Sequence, residues 1–278
     1  MTPLEYRRYL RLLGIGTLPK GPEGLDAIVH SHLCRVPFEN ISKLLLLGRE
    51  GAGRATTLSE FLDGIEFHDL GGTCYTSNPF LAGLLAILGY DADLLGADMS
   101  NPNVHTAIRV RIGSAEYHVD VGFGAPFRHA IPLDRLPVEI RQGRYRFGFA
   151  GGPRPESYEA TVYSGEQRLY GYVVHPPPRS PDFFHDIVLD SYQPGTTFTS
   201  MLRIIRFFDD YAVDLHNRTL SIHHGGQTVE TTLNNMRELR AALASDLAMP
   251  RCPIDEAVAA LERLTGKPLF ENAGAAAG

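Results

Sequence analysis

Apolar residues recur at helical spacing over roughly the first ninety positions and at strand spacing after that. Tyr6, Tyr9, Leu10 and Leu13 mark one helical face, and Gly14-Ile15-Gly16 stops it. After Gly21-Pro22-Glu23-Gly24, the residues Leu25, Ile28, Val29 and Leu33 predict a second helix. It ends at Val36, because the residue before Pro37 is pushed out of the helical region. Ser59 is the expected cap of a short helix carrying Phe61 and Leu62. Leu81 to Leu88 is a further apolar stretch, closed by Gly89.

From Asp91 onward the pattern predicts short strands at Ala92–Leu95, His105–Ile112, Ala115–Val121, Arg144–Ala150 and Tyr158–Tyr163. The proline-rich run from Val174 to Pro181 is expected to be a semi-rigid loop between sub-domains. Strands resume over Ser200–Phe208 and Tyr211–His223, and helices over Met236–Leu247 and Ile254–Leu264 end the pattern. There is no internal repeat.

Composition narrows the class. With 278 residues, 44% hydrophobic and 21% charged, the chain is an ordinary globular protein long enough for more than one core. A net charge of −6 disfavours nucleic acid and anionic membrane as partners. The one basic run, Arg141 to Arg146, reads as a solvated strand face. No apolar run reaches the ~20 residues of a membrane span, and Met1-Thr2-Pro3-Leu4-Glu5 does not open a secretory leader. Cys34, Cys74 and Cys252 are an odd set without metal-like spacing, which points to a reducing, cytoplasmic setting. The eleven histidines are scattered, so no metal site is expected. Asn272 to Gly278 has too little apolar bulk to pack and is expected to be disordered.

The chemistry concentrates in two places. Gly113-Ser114 between two apolar runs signals a two-residue hairpin loop. Ile112 would then face Ala115 and Ala107 would face Asp120, which puts His105 and Asp120 on one face as diagonal neighbours ~7–8 Å apart. A carboxylate there orients an imidazole and stabilises its charged form. A three-residue loop would separate them, and His118, two residues before Asp120, is a rival on the same face. Alternatively, His105 simply ends a strand and Asp120 caps a turn before Gly122. The second place is Gly71-Gly72-Thr73-Cys74, a thiol after a glycine turn and just ahead of an apolar helix. If the helix starts there, its dipole stabilises the thiolate; if it starts at Asn78-Pro79, Cys74 lies in the lead-in loop. Cys34 and Cys252, without such a turn, read as inert buried thiols.

Val36-Pro37-Phe38-Glu39-Asn40, Gly71-Gly72-Thr73-Cys74 and Val119-Asp120-Val121-Gly122-Phe123-Gly124 occur in this order, with His105 opening a strand between the last two. In this the chain resembles the arylamine N-acetyltransferases from about Tyr6 to Leu264. Asp182-Phe183, Pro194 and Phe198-Thr199 echo the same pattern downstream. The resemblance implies an α+β multi-domain chain with a cysteine-protease-like catalytic core. Its parts would be a helical bundle over 1–90, a β-barrel-like domain over 91–195 and an α/β lid over 196–278. It also implies a Cys74–His105–Asp120 triad working in two steps, with Cys74 holding the acyl group as a thioester. Phe38, Val104, Phe123 and Gly124 would line the substrate pocket, and Phe198 and Thr199 would lie near the cofactor. No cofactor would be held permanently. The donor would be acyl-coenzyme A (acetyl-coenzyme A by family default) or an acyl carrier protein thioester, the acceptor a small amine, and the assembly a monomer or homodimer.

Leu70 stands where the family usually has an arginine before its Gly-Gly pair, so Glu39, that arginine's usual partner, is expected to find another cation or stay exposed. Thr76, Ile187 and Val188 also depart from the pattern, and the chain has no tryptophan. These departures leave open a natural-product amide synthase using a longer acyl chain. A thiol hydrolase with the same triad and a non-catalytic binding protein are further alternatives.

Overall fold

The computed structural model describes residues 1–17 and 19–270, so the tail expected to be disordered lies outside the described residues. Helix α1 (Pro3–Leu12) opens with a capping box in which Thr2 and Glu5 satisfy each other's backbone N–H groups. Helix α2 (Pro22–Arg35) stops where Val36 turns extended before Pro37. A two-residue strand β1 (Phe38–Glu39) leads into α3 (Ile41–Glu50), a helix the pattern did not predict. Its four successive leucines, Leu44 to Leu47, hide the 3.6-residue period, and Gly51 ends it in the left-handed region at φ 70°. Helix α4 (Leu58–His68) is capped by Thr57, not Ser59, through a second capping box with Glu60. Helix α5 (Cys74–Ile87) begins at the cysteine itself, with Pro79 tolerated near its start. Tyr9, Leu25, Ile28, Phe61, Leu81 and Leu85 form the core among these helices.

The second layer is an eight-stranded antiparallel sheet. It comprises β2 (Asp91–Asp98), β3 (His105–Ile112), β4 (Ala115–Val119), β5 (Ile131–Pro132), β6 (Val138–Gln142), β7 (Tyr145–Gly151), β8 (Tyr158–Ser164) and β9 (Gln167–Pro178). Its order is β5-β4-β3-β2-β9-β8-β7-β6. The end strands β5 and β6 are joined by one short 3-10 turn, Leu133–Arg135, so the sheet curls into a nearly closed barrel. Phe127, Phe147, Phe149, Tyr158 and Tyr172 fill it. The expected proline-rich loop is corrected here: β9 runs through Pro176 and Pro177 to Pro178, pairing Val174 with Ala97 and Pro178 with Leu95. A bulge between Leu95 and Ala97 interrupts the ladder where the prolines have no N–H to donate.

Helix α6 (His185–Asp190) leads to a second sheet of β10 (Arg203–Phe207), β11 (Tyr211–His216), β12 (Thr219–His224) and β13 (Gln227–Thr232). The single strand expected over Tyr211–His223 is two strands, folded back at Asn217, whose φ of 53° makes the turn. Helices α7 (Met236–Ser245) and α8 (Ile254–Thr265) pack on this sheet. Strand β1 joins the same sheet, pairing Phe38 with Ile205 and Glu39 with Ile204. The arginines of the β6–β7 hairpin pair with Glu139 and Glu230 at the surface, as a solvated face would. Among the described residues no helix is long and apolar enough to cross a membrane.

Candidate active site

The thiol is positioned by a chain of backbone contacts. A Cβ on Gly71 would come within 2.0 Å of the Pro37 carbonyl oxygen, so only glycine lets these two segments approach. The Glu39 carboxylate accepts hydrogen bonds from Gly71 N at 3.1 Å and Ser42 N at 2.8 Å. Glu39 N donates to Gly72 O at 3.2 Å. The expectation that Glu39 would find a cation or stay exposed is therefore overturned. It is fully buried, and among the described residues no cation pairs with it; two backbone donors serve instead, and burial pushes its carboxyl pKa up. Leu70, in place of a cation, packs into the core shared by α3, α8 and the second sheet. Beyond this clamp, Thr73 adopts extended backbone geometry as the N-cap, and Thr73 O accepts from Thr76 N and Ser77 N. Cys74 is thus the first residue of α5, where the unpaired N–H groups of a helix start favour a developing anion.

The hairpin register is the one that a two-residue loop dictates. Ile112 pairs with Ala115 and Ile108 with Val119, and Gly113 takes φ 62°. The ladder ends one residue before Asp120, which leaves that side chain free to turn toward β3. Asp120 Oδ2 lies 2.8 Å from His105 Nε2, with both residues buried. The carboxylate is saturated with donors. Tyr172 Oη–H donates to Oδ2 at 2.8 Å, and Asn78 Nδ2 and Gly122 N each donate to Oδ1 at 2.9 Å. Burial alone would raise the Asp120 pKa, but the imidazole and these donors hold it down at about 2. Burial would lower that of His105, yet Asp120 and then Cys74 override it and raise the imidazole to about 10. Because Nε2 is committed to Asp120, Nδ1 is the ring nitrogen available to the thiol.

Three elements meet at this point. Thr106 Oγ1 donates to Cys74 O at 2.9 Å, tying β3 to the start of α5. Asn78, one helical turn after Cys74, donates to Thr106 O at 2.6 Å and accepts from Val121 N at 3.0 Å. A Cβ on Gly122 would stand 2.4 Å from Cys74 Cα, so the absence of a side chain there lets the loop after β4 close on the helix.

The other expected site residues fall on two sides. Phe123 is half-buried and packs edge-on against the His105 ring at 5.3 Å and the Tyr172 ring at 4.7 Å. Val104 directly precedes β3 and is half-buried. Gly124, at φ 73°, lies against Phe38 and Ile205, and Phe38 meets Phe198 edge-on at 5.7 Å. Thr199 is buried and spends its hydroxyl on Gln193 O at 2.9 Å. Asn40 fastens this loop by donating to Phe198 O and Met201 O and accepting from Arg203 N. The rival His118 makes no hydrogen bond to Cys74 or Asp120; its bonds go to Tyr158 and Tyr172. Cys34 and Cys252, expected to be buried, are each only half-buried, and burial still raises the pKa of Cys34 and, more strongly, of Cys252. Sequence reasoning missed Asn78 and Tyr172. A buried amide one helical turn after the cysteine in an otherwise apolar helix was a usable signal for the first, whereas the pairing that delivers Tyr172 is long-range and left none.

Comparison with known proteins agrees with this architecture. The chain is 28% identical over 255 residues to an arylamine N-acetyltransferase of Mycolicibacterium smegmatis, covering 85% of this chain and 89% of that one. It is 32% identical over 161 residues to an arylamine N-acetyltransferase / N-hydroxyarylamine O-acetyltransferase of Salmonella typhimurium, covering 52% and 53%. The arylamine N-acetyltransferase structure from Mycobacterium abscessus superposes with a TM-score of 0.78 at 19% identity, over 94% of this chain and 95% of that one. That of Mycobacterium marinum in complex with CoA gives 0.78 at 19%, over 93% and 99%. A family model described as N-acetyltransferase matches residues 23–250, so this chain is an acyltransferase belonging to the N-acetyltransferase family.

Proposed function

We propose that the chain moves an acetyl group from acetyl-coenzyme A to an aromatic amine through a thioester on Cys74. The observation that carries this reading is a thiol at a helix start beside an imidazole whose far nitrogen is held 2.8 Å from a buried, donor-saturated carboxylate. The coenzyme A complex of the Mycobacterium marinum structure and the arylamine named for the relatives supply the substrate classes. In the first half-reaction the Cys74 sulfur attacks the thioester carbonyl carbon. A new C–S bond forms, the bond to coenzyme A breaks, and imidazolium His105 gives its proton to the departing thiolate. In the second, the amine nitrogen attacks the acetyl-Cys74 carbonyl, His105 Nδ1 takes the amine proton, and the amide leaves as the Cys74 thiolate is restored.

Asp120 keeps the ring in the required tautomer throughout and is never protonated itself. The acid–base part of such chemistry is worth roughly 10²–10⁴-fold. Loss of the Cys74 negative charge on acylation removes one of the two groups that raise His105, which makes the imidazole a usable base for the second step. We read the chain in three parts: helices to residue 90 carrying the thiol, the barrel over 91–195 carrying the acid–base pair, and the remainder closing over both. Initial rates with both substrates varied test the proposal. Parallel double-reciprocal lines, with coenzyme A released before amine is added, are expected; intersecting lines with no amine-independent release would refute it.

A further inference from the structure

Behind the acid–base pair lies a run of buried polar groups that the proposed mechanism does not use. His118, fully buried on β4, places Nε2 2.9 Å from Tyr172 Oη and Nδ1 3.0 Å from Tyr158 Oη. Apolar and aromatic rings close round it: Phe127 at 6.2 Å and Phe149 at 5.1 Å. Counting protons fixes the direction of every bond. Tyr172 has one hydroxyl proton and spends it on Asp120 Oδ2. The Tyr172 oxygen can then only accept from His118, so His118 Nε2 carries a hydrogen. Burial keeps this imidazole neutral near physiological pH, with its pKa lowered to about 4, so Nδ1 is a bare lone pair and Tyr158 must donate to it. Tyr158, His118 and Tyr172 thus form one polarised line of donors, from β8, β4 and β9, all pointing at the carboxylate that holds His105.

Resting on the triad reading above, we propose that His118 is a positioning residue for acyl transfer: as the Nε2–H tautomer, it commits the Tyr172 proton to Asp120 and so sets how firmly Asp120 holds the His105 proton. A hydroxyl that accepts a hydrogen bond is a better donor, because chains of such bonds polarise one another. Without the His118 donor, Tyr172 neutralises Asp120 less, the carboxylate holds the imidazolium more tightly, and His105 keeps its proton to higher pH. The titratable groups facing the pair are Cys74 of α5, Tyr172 of β9 and, behind it, His118 of β4. Arg109 of β3 and Glu116 of β4 act on Tyr158.

The test compares two double variants, each carrying Tyr158→Phe so that no orphan hydroxyl is left. His118→Gln keeps an N–H able to reach Tyr172, and His118→Met, of similar shape, does not. Each protein is acetylated on Cys74 with p-nitrophenyl acetate, and transfer to aniline is followed against pH. In the His118→Met protein, transfer near neutral pH is expected to fall roughly five- to tenfold as the midpoint of its acid limb rises by about 0.7–1 unit; His118→Gln brings the rate back to within about twofold of the Tyr158→Phe protein and the midpoint to within about 0.3 unit. Identical profiles for the two folded variants would reduce His118 to core filling. His105→Gln runs alongside: if it leaves the profile unchanged, the triad reading fails and this proposal with it. Should the His118→Met protein not fold, ¹⁵N NMR of the unsubstituted protein decides. A His118 protonated at Nε2 and bare at Nδ1 at pH 7 is required, and the opposite tautomer overturns the proposal.

Discussion

Replacing Asp120 by asparagine changes one atom's chemistry at the point where four donors converge. The carboxylate accepts two hydrogen bonds on each oxygen: from His105 and Tyr172 on Oδ2, and from Asn78 and Gly122 on Oδ1. An amide offers one accepting oxygen and one donating nitrogen. If its nitrogen takes the Oδ1 place, it meets Asn78 Nδ2 and Gly122 N–H, leaving two buried donors unpaired at about 1–3 kcal/mol each. If the nitrogen takes the Oδ2 place, Tyr172 can swing away, but His105 must accept at Nε2 and carry its proton on Nδ1. The nitrogen facing Cys74 is then a donor and cannot accept a proton. The second arrangement is cheaper, so the folded variant holds the wrong tautomer. Reversing a tautomer in this way costs roughly 10⁴-fold in turnover in a serine protease with a comparable triad, or about 5 kcal/mol at 1.36 kcal/mol per decade. Asp120→Asn is therefore expected to slow acylation of Cys74 by acetyl-coenzyme A by roughly 10³–10⁴-fold, with the far-ultraviolet circular dichroism of the parent. Rapid-quench sampling with intact-mass detection measures the rate directly. A folded variant that acylates within tenfold of the parent would refute the assignment of Asp120 as orienter of His105.

Other consequences are cheaper to check. Gly122→Ala would push its methyl into Cys74 Cα, so acylation is expected to fall by more than tenfold while Gly226→Ala, whose Cβ meets nothing within 4 Å, leaves it unchanged; equal rates would contradict the close approach. Glu39→Leu strands the Gly71 and Ser42 N–H groups and is expected to cost about 2–5 kcal/mol in urea unfolding, whereas a loss under ~1 kcal/mol would mean those donors find water. His32 is buried, bonded at Nε2 to Tyr9 at 2.8 Å, and burial lowers its pKa to about 3. Its unfolded form takes up a proton below pH ~6.5 that the folded form refuses, so it removes about 1.4 kcal/mol of stability per pH unit from there down toward pH 3. The slope of unfolding free energy against pH should flatten by that amount in His32→Phe; an unchanged slope would show that His32 titrates normally.

Those parts of the site that depend on local chain chemistry were legible in the sequence. The His105–Asp120 pairing follows from a glycine-led two-residue loop, because loop length fixes register and register fixes the shared face. The glycine turn before Cys74 could be read for the same reason, as a close backbone approach. The start of α5 was ambiguous because Asn78-Pro79 has the signature of a cap and first helical residue, while its real partners are Thr106, Asp120 and Val121, all more than 25 positions away. Helix α3 was hidden by four leucines in a row, which tell of burial on several sides without giving a period. The three prolines of β9 read as a loop because the β2 partner that holds this irregular stretch in the sheet belongs to another segment. Family likeness supplied an arginine partner for Glu39, yet Leu70 and two backbone donors met the same need. Long-range pairing decided the start of α5 and the place of the β9 prolines, and a single sequence carries it only indirectly.

The central claim is that the acyl group rests on the sulfur of Cys74 between two half-reactions. Mixing the protein with acetyl-coenzyme A in the absence of amine, quenching in acid and mapping the peptides by mass tests it. The account predicts one acetyl group on the peptide containing Cys74, absent in Cys74→Ala and lost within one turnover once an aromatic amine is added. An unmodified Cys74 peptide from protein that nonetheless forms amide would contradict it.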